Sequence, residues 1–404
     1  MNILIIGNGF DLAHGLSTKY TDFIQFCKRV KPIFSYYNDS DFDYYKKNHL
    51  DDWKVDKKIK KVLENTYKTR KIIKLENDGY KIEIDDSVLN EIYQHIKDNF
   101  WIDYFRQFSK NENWIDFERE ISQIVQDIDK DMQGKNFYGQ IDFLSNKYLE
   151  NTFLYKTIDS LFTDENGKRM GKEQITYQEL RDKLHKDLDR LIRALEIYLT
   201  QYVENKNIKF ISPDIKEKEV VIQINRNKHT TLFAKVISFN YTNTFQKLYG
   251  KSKEIEYDYI HGKADIHNTI ETNNMVLGID EYLPDDRRNK DIEFIAFKKF
   301  YQRIYKETGC KYKEWIDKIR LNKEQSHNLY IFGHSLDITD KDVLRDLILN
   351  DNVYTTIFYL NKSVMGQQIA NLVKVIGQDE LIRRTGGSTK TIEFKQQRDM
   401  VEIH

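Results

Sequence analysis

The chain has 404 residues, enough for one large domain or two ordinary ones. Lys plus Arg and Asp plus Glu each number 64, so the formal charge is zero, which argues against electrostatic capture of the whole protein by nucleic acid or by a membrane surface. Tyr and Phe number 26 and 23 while Pro numbers 3, a composition at odds with disorder and suited to a helix-rich globular protein.

The two cysteines, Cys27 and Cys310, form neither a disulfide framework nor a C-x-x-C metal pattern. Free thiols in a reducing cytosol are expected. The N-terminal apolar run is too short for a signal peptide, and no stretch approaches the ~18 apolar residues of a membrane span. A cytoplasmic protein without a membrane partner is the expectation.

Met1–Ile6 is a short buried-strand pattern that runs into Gly7-Asn8-Gly9-Phe10-Asp11, after which Leu12-Ala13-His14 can open a helix. A strand ending in G-x-G at the start of a helix is one way α/β proteins present backbone N–H groups to a pyrophosphate. The third glycine of G-x-G-x-x-G is absent, since Leu12 stands there, so a tight turn without a ligand is the competing reading. Asn8 and Asp11 are polar and sit at the strand's carboxyl end, where open α/β sheets bind ligands.

Thr21–Arg29 reads as a helix with Phe23, Ile24, Phe26 and Cys27 on one side. Residues 35–52 read as irregular. Lys54–Lys74 carries nine Lys or Arg, more simply a solvated face than a nucleic-acid site because acidic residues follow closely. Alternation in 71–75 and 80–84 around Asn77-Asp78-Gly79 predicts a β-hairpin. From Ser87 to Tyr202 the pattern is mostly helical, with a loop at 164–172. Leu180, Leu184, Leu188, Leu191, Leu195 and Tyr198 give one long amphipathic helix.

After residue 205, strand patterns return at Val220–Ile224, Ala234–Phe239, Tyr257–Ile260, Met275–Leu277, Leu329–Phe332 and Thr355–Leu360. Counting the N-terminal run and leaving aside 220–224, six of these runs end in a polar or glycine-containing turn. In a parallel sheet such ends lie along one edge, so residues between 7 and 361 converge on one crevice. The predicted architecture is α/β, a Rossmann-like and mostly parallel sheet built from 1–30 and 205–404. A mostly helical insertion or cap at 31–204 carries the small hairpin near 70–85.

His261 follows a strand directly and is followed by Gly262, and Asn240 ends the strand before it. A neutral imidazole can act as base or acid near its unperturbed pKa of about 6.5. The Asn amide can orient a water or a ribose hydroxyl. Gly333 and Ser335 could supply an N–H and a hydroxyl to phosphate or ribose. Gly333-His334-Ser335-Leu336-Asp337 is not G-x-S-x-G, which argues against a hydrolase elbow. Asp337, Asp340 and Asp342 open the next helix, where favouring its N-terminus is a simpler role than holding a metal.

Asn2–Tyr20, NILIIGNGFDLAHGLSTKY, resembles the opening of the AbiH family of bacterial abortive-infection proteins. Asn113–Glu118 and Ile331–Asp337, with Asp340 and Asp342, resemble two further segments of that family. The resemblance implies phage defence by harming or arresting the infected cell. More distantly, the pattern is similar to the sirtuin-like NAD-binding fold. Gly7–Asp11 resembles the G-A-G-x-S loop, and Ser238–Thr242 resembles T-x-N-x-D with the catalytic Asn at Asn240. His261-Gly262 resembles the pair carrying the catalytic His, Gly333–Ser335 the later G-x-S, and Asn361 the Asn that holds the adenosine ribose. Asp11 stands where Ser is usual and Thr242 where Asp is usual. The two C-x-x-C pairs of the sirtuin zinc module are absent, so no structural zinc and no protein deacetylation is implied.

These readings combine into an NAD-consuming defence enzyme that cleaves the nicotinamide–ribose bond. Asn240 and His261 are the expected catalytic residues. Gly7, Asn8, Gly9, Phe10, Asp11, Gly333, Ser335 and Asn361 are the expected nucleotide-binding residues, and no metal ligand is assigned. A homo-oligomer and a phage-derived trigger or partner protein are expected, nucleic acid is not. Two rival readings are a nucleotide-sensing module without turnover, and a nuclease or phosphoesterase holding Mg²⁺ with Asp11, Asp116 and Glu118. Trp114 is more simply core. Asp116 and Glu118, two positions apart, cannot share a helix face, so one is expected to reach the crevice while the other caps or is solvated.

Overall fold

The computed structural model describes residues 1–35, 44, 46–50, 60–61, 63–66, 87–108, 115–134, 140–141, 175–204, 208–216, 235–250 and 255–402. Six strands form the main sheet: β1 (Asn2–Ile6), β2 (Lys235–Ser238), β3 (Glu256–Tyr259), β4 (His327–Phe332), β5 (Val353–Tyr359) and β6 (Ile392–Gln396). Their spatial order is β3-β2-β1-β4-β5-β6 and every pairing is parallel. This is the strand order of dinucleotide-binding sheets, with the chain reversing direction across the sheet between β1 and β4. The α/β, Rossmann-like expectation holds.

β1 can be apolar from Ile3 to Ile6 because both of its faces are covered there. Ile3 and Ile5 join Ile237, Leu329, Ile331 and Ile357 on one face. Leu4 and Ile6 join Val236, Phe332 and Phe358 on the other. Along the register Ile6 lies level with Ser238 and with Phe332, so the chain leaves β1, β2 and β4 at the same height.

The described helices are α1 (Asn8–Ala13), α2 (Tyr20–Ser35), α3 (Ser87–Ile96), α4 (Phe100–Phe108), α5 (Phe117–Gly134), α6 (Tyr177–Tyr198), α7 (Thr244–Leu248), α8 (Lys299–Tyr305), α9 (Tyr312–Leu321), α10 (Lys341–Ile348), α11 (Lys362–Ile376) and α12 (Gln378–Thr385). Helices α9 to α11 cover the Ile3–Ile5 face. Helices α2 to α6 fall between β1 and β2 in the chain and share a separate apolar core. In that core Leu180, Leu184, Leu188, Leu191, Leu195 and Tyr198 of α6 are all buried, as their spacing predicts. Thr176 and Glu179 start α6 with a reciprocal capping box, which satisfies two backbone donors at once.

One sequence expectation for the sheet needs correction, and one strand was not expected. Met275–Leu277 is buried but is not a strand of the sheet. Its backbone bonds elsewhere: Val276 N–H donates to His261 O at 2.8 Å, and the Gln302 amide holds Leu277 at both N–H and C=O. The Met275 and Leu277 side chains feed the helical core instead. The sixth strand is Ile392–Gln396, whose alternation in Ile392-Glu393-Phe394-Lys395 carried the signal. The expected hairpin at 71–84, the strand at 220–224 and the loop at 164–172 lie outside the described residues. Among the described residues no helix is long and apolar enough to cross a membrane.

Candidate functional site

A cavity of about 760 Å³ opens at the carboxyl edge of the sheet, over the β1–β4 boundary. Gly7, Asn8, Gly9 and Asp11 from the first loop and helix line it, with Asn240 to Thr242, His261 and Gly333 to Ser335. Glu118, Asp340 and the α11 residues Gln367, Gln368 and Asn371 complete much of the wall. The size suits a small-molecule or cofactor site.

The glycines of the two central loops serve first to let those loops touch. Gly9 N–H donates to Gly333 O at 2.8 Å, Gly7 N–H to Phe332 O at 3.3 Å and Phe10 N–H to Gly7 O at 2.8 Å. A Cβ on Gly9 would meet Gly333 O at 2.8 Å. One on Gly333, where φ is +68°, would meet Phe10 N at 2.1 Å. The N–H groups expected to cradle a pyrophosphate are therefore largely engaged within the protein. Among the described residues the N–H groups of Asn8, His334 and Ser335 have no backbone acceptor.

Asn240 is buried, and its Nδ2 donates to Gly7 O at 3.0 Å. That bond fixes the amide with Oδ1 as the acceptor left for a ligand or water. Asp11 is also buried and accepts the Thr242 hydroxyl at 2.6 Å, while its Oδ1 has no hydrogen-bond partner. Burial raises the Asp11 carboxyl to about 6, against hydrogen bonds from Thr242 and Thr244 that lower it.

The strongest electrostatics centre on Asp340. Its Oδ1 lies 3.3 Å from His261 Nε2 and its Oδ2 lies 3.4 Å from His334 Nε2. Lys299 Nζ, 3.7 Å from Asp340 Oδ1, pairs at 2.6 Å with Glu118 Oε2. Burial alone would raise Asp340, but the Lys299 ammonium and the two imidazoles outweigh it and hold the carboxyl well below its ordinary range. Burial would likewise lower Lys299, yet Glu118, Asp340 and Asp280 hold it well above. One ammonium cannot serve three carboxylates equally. Glu118 stays raised by burial, and Asp280, half-buried, is raised to about 7, chiefly by desolvation.

His334 has an assignable tautomer. Its Nδ1 accepts the Leu336 N–H at 2.9 Å, which places the proton on Nε2, toward Asp340. Leu336 makes that bond from a left-handed backbone, φ +59°, with its side chain buried. Such strain in a non-glycine residue is usual at functional sites. The 3.3 Å contact of His261 Nε2 lacks hydrogen-bond geometry, so that buried atom has no hydrogen-bond partner. The connection that follows His261 is held by the helical block: Glu196 of α6 accepts from Asp265 N–H at 3.0 Å, from Asn268 Nδ2 at 2.7 Å and from the Asn273 amide.

The model of the family described as Bacteriophage abortive infection AbiH matches residues 3–360 of this chain. The chain belongs to the AbiH family. Its place is therefore in bacterial defence by abortive infection. No curated protein and no solved structure matches it.

In this AbiH chain Gly7, Asn8, Gly9, Asp11, Asn240, His261, Gly333 and Ser335 share one cavity wall. Phe10 and Asn361 do not line it. The Phe10 ring is buried beneath the loop against Phe245, Tyr249 and Phe332, because the residue after Gly9 turns toward the core. Asn361 is exposed and caps α11, its Oδ1 accepting Val364 N–H at 3.0 Å. Asp116 and Glu118 divide as their spacing requires. Asp116 accepts Arg119 N–H at 3.1 Å at the start of α5, while Glu118 reaches Lys299. Trp114 lies outside the described residues.

Sequence reasoning passed over Asp340, Lys299 and the His334 ring. Asp340 does stand at the start of α10, but its side chain makes no cap bond there and turns to the histidines instead, while Asp337 caps the preceding 3₁₀ turn by accepting Thr339 N–H at 3.1 Å. The signal available was two neighbouring lysines, Lys298 and Lys299, framed by Phe297 and Phe300.

Proposed function

We propose that this AbiH chain binds a nucleotide in the cavity and hydrolyses it, with NAD⁺ as the substrate, and that NAD⁺ loss arrests the infected cell. The observation that carries the reading is the meeting of Asn240 and the Asp340-backed His261 in a cavity at the reversal point of a 3-2-1-4-5-6 sheet. The similarity of Ser238–Thr242 and His261-Gly262 to sirtuin segments supports the same substrate.

In this mechanism the bond between ribose C1′ and the nicotinamide nitrogen breaks, and its electron pair leaves with nicotinamide. Water adds to C1′ and gives up a proton, so the products are ADP-ribose, nicotinamide and H⁺. Asn240 Oδ1 orients the water. His261 takes its proton, and the anionic Asp340 stabilises the imidazolium that forms. Phosphate contacts fall to the N–H groups of Asn8, His334 and Ser335. An effector of this kind must be silent before infection, so assembly as a homo-oligomer or a phage-derived trigger belongs to the proposal.

The carboxylates of the Mg²⁺ reading are each committed to the protein: Asp11 to Thr242, Asp116 to the α5 N-terminus and Glu118 to Lys299. The test is nicotinamide release from NAD⁺ by the purified chain, with and without phage lysate. Wild-type turnover that Asn240→Ala and His261→Ala both abolish is the expected result. Binding without turnover under every condition would move the function to nucleotide sensing.

A further inference from the structure

Gln368 of α11 is 2% exposed and lines the cavity at the ends of β4 and β5. Its Nε2 donates to two carbonyls, His334 O at 3.1 Å and Phe358 O at 3.3 Å. Both partners are acceptors, so the orientation of the amide is not in doubt: the nitrogen faces the protein. Oε1 is then the other end, and it is buried without any hydrogen-bond partner. An orphaned buried acceptor costs about 1–3 kcal/mol and is uncommon in native proteins. Phe358, Leu360, Val364 and Met400 line the same cavity, and of the polar residues beside them Gln367 donates to Asn371 Oδ1 at 3.2 Å and Asn371 to Ser335 O at 2.9 Å.

A partly apolar wall with one buried, unpaired acceptor suits a flat group that brings one N–H donor. This wall lies on the β4–β5 side of the reversal point, whereas Asn240 and His261 stand on the β2–β3 side. A ligand that fills the cavity therefore spans both halves of the sheet, as a dinucleotide does. We propose that this part of the cavity holds the base distal to the reacting ribose, and that Gln368 Oε1 accepts a hydrogen from the exocyclic amine of adenine. Hypoxanthine presents a keto oxygen at the same position and sets acceptor against acceptor. Gln368 is thus the residue that selects the base. The inference rests on the nucleotide reading above.

The experiment is calorimetric titration of the full chain with adenosine 5′-monophosphate and with inosine 5′-monophosphate, for the wild type and for Gln368→Met. The wild type should bind the adenine nucleotide at least about tenfold more tightly, the lower range of one lost hydrogen bond with its acceptor left unpaired. In Gln368→Met the two affinities should come within about twofold, since the selecting acceptor is gone. Equal wild-type affinities would overturn the base assignment and leave the nucleotide reading standing. A preference that survives in Gln368→Met would overturn the role of Gln368. No binding of either nucleotide would overturn this inference and nucleotide binding together. The wild-type ratio decides the base assignment even where the variant does not fold.

Discussion

Thr242 donates its hydroxyl to Asp11 across 2.6 Å, joining the loop after β2 to helix α1. The two residues are 231 positions apart and both are buried.

The Asp11 carboxylate makes stability depend on pH. Asp11 is raised by burial from its ordinary 3.8 to about 6. The folded chain therefore holds the proton more tightly than the unfolded one. The preference favours folding below about pH 4 and is lost as pH rises through about 6, a change of about 3 kcal/mol. Urea unfolding of wild type and Asp11→Asn between pH 4 and 7 measures it. The wild type should lose stability across that window by more than the variant does, and parallel curves would contradict the assignment.

Asp340 has the opposite sign. Lys299 and the two histidines outweigh burial and hold it well below its ordinary value. Its contribution is present above the unfolded carboxylate range and is lost as pH falls through the lowered value. Asp340→Asn should cost about 3–5 kcal/mol near pH 7, the price of breaking a buried charge cluster. The cost should shrink below about pH 4, where the unfolded aspartate takes up its proton. Nicotinamide release should disappear in the same variant at temperatures where it remains folded.

Lys299 and Glu118 form one unit. Lys299→Met leaves the Glu118 and Asp340 carboxylates without the ammonium between them, and Glu118→Gln leaves the ammonium with Asp340 and Asp280. Each single change should destabilise the chain, and the double change should cost less than their sum by at least about 1 kcal/mol. Additive losses in the unfolding cycle would show that the pair is not coupled.

Two glycines should respond in opposite directions. Gly333→Ala puts a Cβ against Phe10 N in a left-handed backbone, and the central loops cannot separate without breaking the Gly9–Gly333 bond. Its unfolding midpoint should fall steeply. Gly366 stands exposed inside α11, and a Cβ there meets nothing within 4 Å. Gly366→Ala should stabilise the chain by about 1 kcal/mol, the difference in helix propensity. Equal midpoints for the two variants would refute the account of the paired loops.

Elements with a strong local pattern could be read before any contact was known. Asn2–Ile6 is a central strand because it is apolar on both faces, and α6 is a helix because its leucines recur every three or four residues. Asn240 and His261 were readable as neighbours because parallel strands end on one edge. Met275–Leu277 was misleading because a buried extended segment has the same composition as a strand, and only its hydrogen-bond partners tell the two apart. The partners of His261 were hidden for a related reason. Asp340, which faces His261, comes from a short 3₁₀ turn, and Lys299, which pairs with Glu118 beside it, opens a helix of only seven residues, so neither context carries a clear period.

Composition and local periodicity thus determined the α/β class, the parallel edge and the residues at the strand ends, because those depend on backbone preference and on which faces must be buried. Long-range packing decided the rest. It turned Phe10 into the core, spent the loop glycines on each other, drew Asp340 between two histidines and left the Gln368 carbonyl unpaired in the cavity. Charge pairing and hydrogen-bond completion act through space between segments hundreds of residues apart, and nothing in the neighbouring sequence records which partners will meet.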